Sequence, residues 1–105
     1  MGMNMQKLMK QAQKMQADMA RLQDDLKDML VEAASGGGMI KVTANCKQEI
    51  VAIQINPEVI DPDDVEMLED LLLAAVKEAQ RLAGERSADE MQKITGGMGL
   101  PPGLF

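Results

Sequence analysis

The sequence predicts an α+β fold: a long N-terminal helix, a β-hairpin and a long C-terminal helix, completed by a second copy of the chain. Three observations carry this. A heptad stripe starts at Met5, two alternating β-rich runs follow three consecutive glycines, and a capped amphipathic stretch begins near Asp61. At 105 residues the chain suits one small domain over about residues 1–95, with a thin core. Aromatic residues make up 1% of it, Phe105 alone, so the interior is built from Met, Leu, Ile, Val and Ala and packs adaptably.

The first element rests on spacing. Met5, Leu8, Ala12, Met15, Met19, Leu22, Leu26 and Met29 recur in alternating steps of three and four, the signature of one apolar helical seam. No Gly or Pro interrupts, so one helix is expected over about residues 4–34, on the order of 40 Å long at 1.5 Å per residue. A rod of that length outruns a globule whose radius should be roughly 13 Å. Part of it must project or pack on another chain.

Gly36 to Gly38 are expected to end that helix, because glycine accepts the left-handed backbone of a C-terminal cap. The hairpin follows over about residues 39–55. Ile40, Val42 and Ala44 alternate with Lys41, Thr43 and Asn45, and Val51, Ile53 and Ile55 alternate with Ala52 and Gln54, giving one dry and one wet face. Asn45 suits the turn, but Cys46 stands where a two-residue Asn-Gly turn would place glycine, so the loop is expected to be longer.

The second helix is expected over about residues 62–95. Asp61 is its N-cap, Pro62 its first residue, and Asp63, Asp64 and Glu66 complement the positive end of its dipole. Val65, Leu68, Leu72, Ala75, Ala79 and Leu82 form the inward stripe, and Met91 and Ile94 resume the spacing past Gly84. Residues 96–105, "GGMGLPPGLF", read as a flexible Gly/Met/Pro tail. A lone two-stranded sheet is marginal in water and leaves both edges open, so a homodimer is the simplest completion.

The chain has one cysteine, Cys46, and no histidine. The commonest general base at neutral pH is therefore missing, with every Ser-His or Cys-His pair and the usual Cys/His zinc patterns. No cofactor, metal or small-molecule substrate is called for, and an enzyme is not expected. The lone cysteine fits a reducing cytoplasm. No apolar run approaches the roughly 20 residues of a membrane span, so no membrane partner is expected.

Net charge is −6, but its distribution matters more than its sum. Seven acids and no base lie between Glu58 and Asp70, leaving +1 for the remainder. Residues 1–17 hold Lys7, Lys10 and Lys14 and no acid. With Arg21 these share one helical face, away from the Met/Leu stripe. Cations about 5 to 10 Å apart along a rod match phosphates along a nucleic-acid backbone. A second basic set, Lys77, Arg81 and Arg86, lies on the second helix, where Glu78 and Glu85 dilute it. On residues alone, a solvated outer face accounts for both sets about as well. Without aromatic platforms for stacking bases, backbone contact to a duplex with low sequence specificity is the nucleic-acid reading. The rival is an acidic, Met-rich protein-interaction module without DNA binding.

Four stretches, "MKQAQKMQ", "GGGMIKVTAN", "INPEVIDPDDVEMLEDLLLAAVKEA" and "GGMGLPPGLF", in that order and spacing, resemble the YbaB/EbfC family of bacterial nucleoid-associated DNA-binding proteins. The resemblance implies an intertwined, tweezers-like homodimer with a shared central sheet. It further implies binding of double-stranded DNA, an altered DNA conformation, and a part in nucleoid organisation and gene regulation. Carried over by position, the basic segments fall on Lys7, Lys10 and Lys14 and on the helix from Lys77 to Lys93.

Overall fold

A three-stranded antiparallel sheet, its strands side by side in chain order, lies under one long helix, while a second helix leaves the sheet as a rod. The structure, a computed structural model, describes residues 4–96. In chain order the elements are α1 (Met5–Leu26), β1 (Leu30–Ser35), β2 (Ile40–Asn45), β3 (Ile50–Ile55) and α2 (Val65–Gly96). The predicted tail lies outside the described residues, apart from Gly96, the last residue of α2.

The first helix is shorter than the sequence predicts. Asn4 caps it, its Oδ1 accepting from the Gln6 N–H at 3.0 Å, and it stops at Leu26 without a Gly or Pro. "LVEAAS" then forms a strand in place of the expected last helical turns. Its residues are mostly good helix formers, but pairing along the whole length of β2 satisfies its backbone, and tertiary context overrides a weak propensity. Val31, Ala33 and Ser35 oppose Ala44, Val42 and Ile40, and Ser35 Oγ donates to the Leu71 carbonyl at 2.7 Å.

The glycines accordingly do a different task from the expected helix cap. At φ of +60°, +68° and +96° they turn β1 into β2, a backbone that residues with a Cβ rarely adopt. The hairpin loop is longer than two residues, as its sequence suggests. Asn45 Oδ1 accepts from the Lys47 and Glu49 N–H groups at 3.0 and 3.1 Å, Gln48 takes φ +65°, and β3 begins at Ile50.

The core is an alanine seam set on a small sheet. Ala75, Ala79 and Ala83 recur every fourth residue of α2 and are fully buried with Ile40, Val42 and Ala44. Side chains this small let the helix backbone sit close over β1 and β2. The start of α2 shifts from the expected position: Asp61 accepts from the Asp63 N–H in the preceding turn, while Asp64 Oδ1 accepts from Met67 and caps the helix. Gly84 does not interrupt it.

The face of β3 read as dry is open within the single chain. Ile53 and Ile55 lie opposite Val42 and Ile40, yet α2 covers β1 and β2 and barely reaches β3. Val51, Ile53 and Ile55 are 52, 48 and 36% exposed.

The hairpin loop fastens the rod. The Cys46 N–H donates to the Leu26 and Met29 carbonyls at 3.0 and 2.9 Å, and its side chain is buried against Leu22 and Leu26. Burial pushes the thiol up, Arg86 opposing this and Glu90 adding to it, so the thiolate is disfavoured.

Two outcomes follow. Ala79→Leu, which forces a larger side chain into the seam, lowers stability by roughly 1–3 kcal/mol, read as a reduced midpoint in urea with little change in slope. Iodoacetamide labels Cys46 far more slowly in the native protein than in urea, and raising the pH to about 9 closes little of that gap. Equal rates in the two states would contradict the burial described.

Candidate nucleic-acid interface

The helix that carries the lysine row stands mostly outside the globule. The molecule measures 75 × 24 × 16 Å, with a radius of gyration of 20.0 Å against roughly 13 Å for a compact chain of this length. Leu22 and Leu26 of α1 are buried against Met91 and Ile94 of α2. A shallow groove brings Asp18, Arg21 and Leu22 beside Glu90, Lys93 and Ile94, and another brings Gln23 and Leu26 beside Gly84, Ser87 and Met91. Falling numbers on α1 thus meet rising numbers on α2: the two helices are antiparallel, and the first turns of α1 extend past the described end of α2.

Lys7, Lys10 and Lys14 sit on that extension. Every residue from Asn4 to Lys14 is exposed. Among the described residues these three lysines enter no ion pair; the pairs present are Arg81 with Glu78, Arg81 with Glu85 and Lys93 with Glu90. Steps of three and four place the ammonium groups on one flank over about two turns. Nothing acidic shares those turns, so their fields add.

The other basic positions are placed differently. Arg21 is exposed on the same flank, but within the groove that also carries Asp18, Asp25 and Glu90. Arg81 is engaged: its Nε donates to Glu78 at 3.0 Å and its Nη1 to Glu85 at 2.6 Å. That fork holds the Glu78 carboxyl below the usual carboxylate range and raises the already basic guanidinium further. Arg86 Nη1 donates to the Leu30 carbonyl at 3.2 Å, pinning the start of β1 to α2. Lys77 is exposed over the sheet end of α2, about two to three turns from Asp70, Glu69 and Glu66.

The seven basic residues therefore do not form one surface. Lys77 lies nineteen residues before the end of α2, roughly 28 Å back along its axis at 1.5 Å per residue, and the lysine row lies beyond that end. The engagement of Arg81 is readable from its i,i+3 and i,i+4 spacing to Glu78 and Glu85. The Arg86 contact, which spans fifty-six residues of sequence, leaves no local signal.

Among the described residues no three His, Cys, Asp or Glu side chains gather as a metal site would require. No described helix is long and apolar enough to cross a membrane. What the extension of α1 can do is present a short ladder of cations to a polyanion.

The chain is similar to known proteins over its whole length. The sequence profile of the YbaB/EbfC DNA-binding family matches residues 1–98. A nucleoid-associated protein of Acetivibrio thermocellus is 58% identical over 104 residues, covering 99% of this chain and 92% of the relative. Another, from Pelotomaculum thermopropionicum, is 54% identical over 105 residues, covering 100% of this chain and 99% of that one. A crystal structure of an uncharacterized Helicobacter pylori protein superposes with a TM-score of 0.71 at 25% identity, over 84% of this chain and 92% of its own. The chain belongs to the YbaB/EbfC DNA-binding family.

Proposed function

We propose that the protein works as a homodimer that binds double-stranded DNA with low sequence specificity, using the lysine row of α1 to contact phosphates. The observation that carries this reading is the acid-free, unpaired run of Lys7, Lys10 and Lys14 on the projecting half of α1. An ammonium with no internal ion pair has none to give up when it meets a phosphate, and each contact releases counterions.

The dimer is supported by the open edge of the sheet. Val51, Ile53 and Ile55 leave apolar area beside an unpaired row of backbone groups, the kind of edge that pairs with another strand. A second copy of the chain would bury it, in keeping with the shared central sheet that the family resemblance implies. Two rods, one per subunit, would then offer two lysine ladders to one duplex and change its path. Arg21 and Lys77 are secondary contributors in this reading, and Arg81 and Arg86 lesser ones, because their guanidinium groups are already engaged. The same reading places the protein on the nucleoid, in the cytoplasm, with a part in nucleoid organisation and gene regulation.

Low specificity follows from the side chains on offer. Lysine is a compact point charge suited to phosphate contact, and no aromatic residue among residues 4–96 can stack on a base or wedge between steps. The exposed Met5, Leu8 and Met9 are the one feature that favours the rival, a protein-interaction module.

A duplex titration at several salt concentrations separates the two readings, with light scattering to give the subunit count. If three lysines from each of two subunits neutralise phosphates, log K against log salt falls with a slope of roughly −5. Lys7→Glu, Lys10→Glu, Lys14→Glu together should abolish binding while the circular dichroism and the dimer mass stay unchanged. Undiminished, salt-steep binding by that variant would refute the site; no binding by the parent protein would favour the rival.

A further inference from the structure

Two residues of this chain stand where the backbone disfavours them, and they touch. Gln48 takes the left-handed φ of +65°, a conformation that suits glycine. Gly84 lies inside the uninterrupted helix α2, where alanine would hold the backbone better. A Cβ on Gly84 would come within 2.8 Å of Gln48 Nε2, and in the space left free Nε2 donates to the Gln80 carbonyl at 3.1 Å. Each choice is unfavourable alone. Together they let a side-chain amide reach the flank of a helix.

We infer that Gln48 and Gly84 form a latch that sets the direction in which the α1 rod leaves the rest of the molecule, with Gln48 as a positioning residue for the lysine tip. Two residues before Gln48, the Cys46 N–H donates to the Leu26 and Met29 carbonyls, so the stretch 46–48 joins the end of α1 to the backbone of α2. Asn45 stiffens that stretch by accepting from the Lys47 and Glu49 N–H groups. The other link between the rod and α2 is apolar, Leu22 and Leu26 against Met91 and Ile94. Contact of that kind is non-directional, and methionine adapts to a shifted neighbour. It keeps α1 beside α2 and leaves the angle open. Hydrogen bonds are directional, and those of the loop supply the angle.

The angle matters because the rod is a lever. From Leu22 to Lys7 is roughly 22 Å of helix, so a tilt of about 10° near the latch carries Lys7 by about 4 Å, the full reach of an ion pair. Every residue from Asn4 to Lys14 is exposed, so no contact nearer the tip corrects such a tilt. The latch is a property of the free protein; only its consequence for DNA rests on the phosphate-binding reading.

Residual dipolar couplings of backbone amides in the full-length protein, recorded without DNA, report the direction of α1 relative to α2. One alignment is expected to describe both helices in the parent. Gly84→Ala displaces only the end of a flexible side chain and leaves the fold intact. In that variant, and in Gln48→Ala, the α1 couplings should depart from the common alignment while the circular dichroism stays unchanged. Adding Gly84→Ala to Gln48→Ala should change the α1 couplings no further and raise the thermal midpoint, since without the amide the alanine merely improves the helix. Each single variant should bind duplex several-fold more weakly than the parent with the same salt slope, because every lysine is retained. Couplings that keep the parent alignment in both single variants, or a further departure in the double variant, would overturn the latch. Altered couplings with unchanged duplex affinity would overturn its role in placing the lysines. A parent protein that binds no duplex refutes the DNA reading instead, and the couplings still decide the latch.

Discussion

The close seat of α2 on the sheet is the constraint from which the other features follow. Ala75, Ala79 and Ala83 have no side-chain bulk beyond Cβ, so the helix settles directly over Ile40, Val42 and Ala44. Such contact stabilises through many small dispersion terms and the removal of apolar area from water. It also fixes which strands are covered. With the helix centred on β1 and β2, the side chains of β3 are left at the margin, and the sheet keeps an apolar edge that a subunit could complete. The same helix is too long for the sheet beneath it. Its last turns run past the strands and serve as the rail against which Leu22 and Leu26 hold α1.

That geometry sorts the charges. The acids of residues 58–70 cluster around the start of α2, at the sheet end of the molecule, while the acid-free lysines ride at the far end of α1. An acidic chain can therefore present a locally basic tip, separated from most of its negative charge by more than a Debye length, roughly 8 Å at physiological salt. The arginines illustrate the complementary case. Arg81 closes a fork on two glutamates and Arg86 ties a strand to a helix, roles in which their cations serve the fold.

Much of this was legible in sequence. The strands β2 and β3 follow their alternation, and α2 follows its spacing and acidic start. The lysine row is visible because three cations without an acid are rare in a chain with seventeen acids. The strand β1 was hidden for a physical reason. Val31, Ala33 and Ser35 alternate inward, but Leu30 faces out, and Ala, Glu and Leu suit a helix equally well, so the decision belongs to β2, which no local pattern reports. Asp64 took the capping role expected of Asp61 because several aspartates in one turn can each accept the same N–H groups. The separation of the basic residues was equally out of reach, since it depends on the antiparallel register of α1 and α2.

The central proposal is that DNA meets chiefly the tip of α1, with the basic residues of α2 contributing less. Backbone amide shifts recorded by NMR while a short duplex is titrated into isotope-labelled protein locate the contact without any substitution. The largest changes are expected on residues 5–16, with clearly smaller ones around Lys77 and Arg81. Changes centred on Lys77 and Arg81, or on the outer face of the sheet, with the first turns of α1 unmoved, would contradict it.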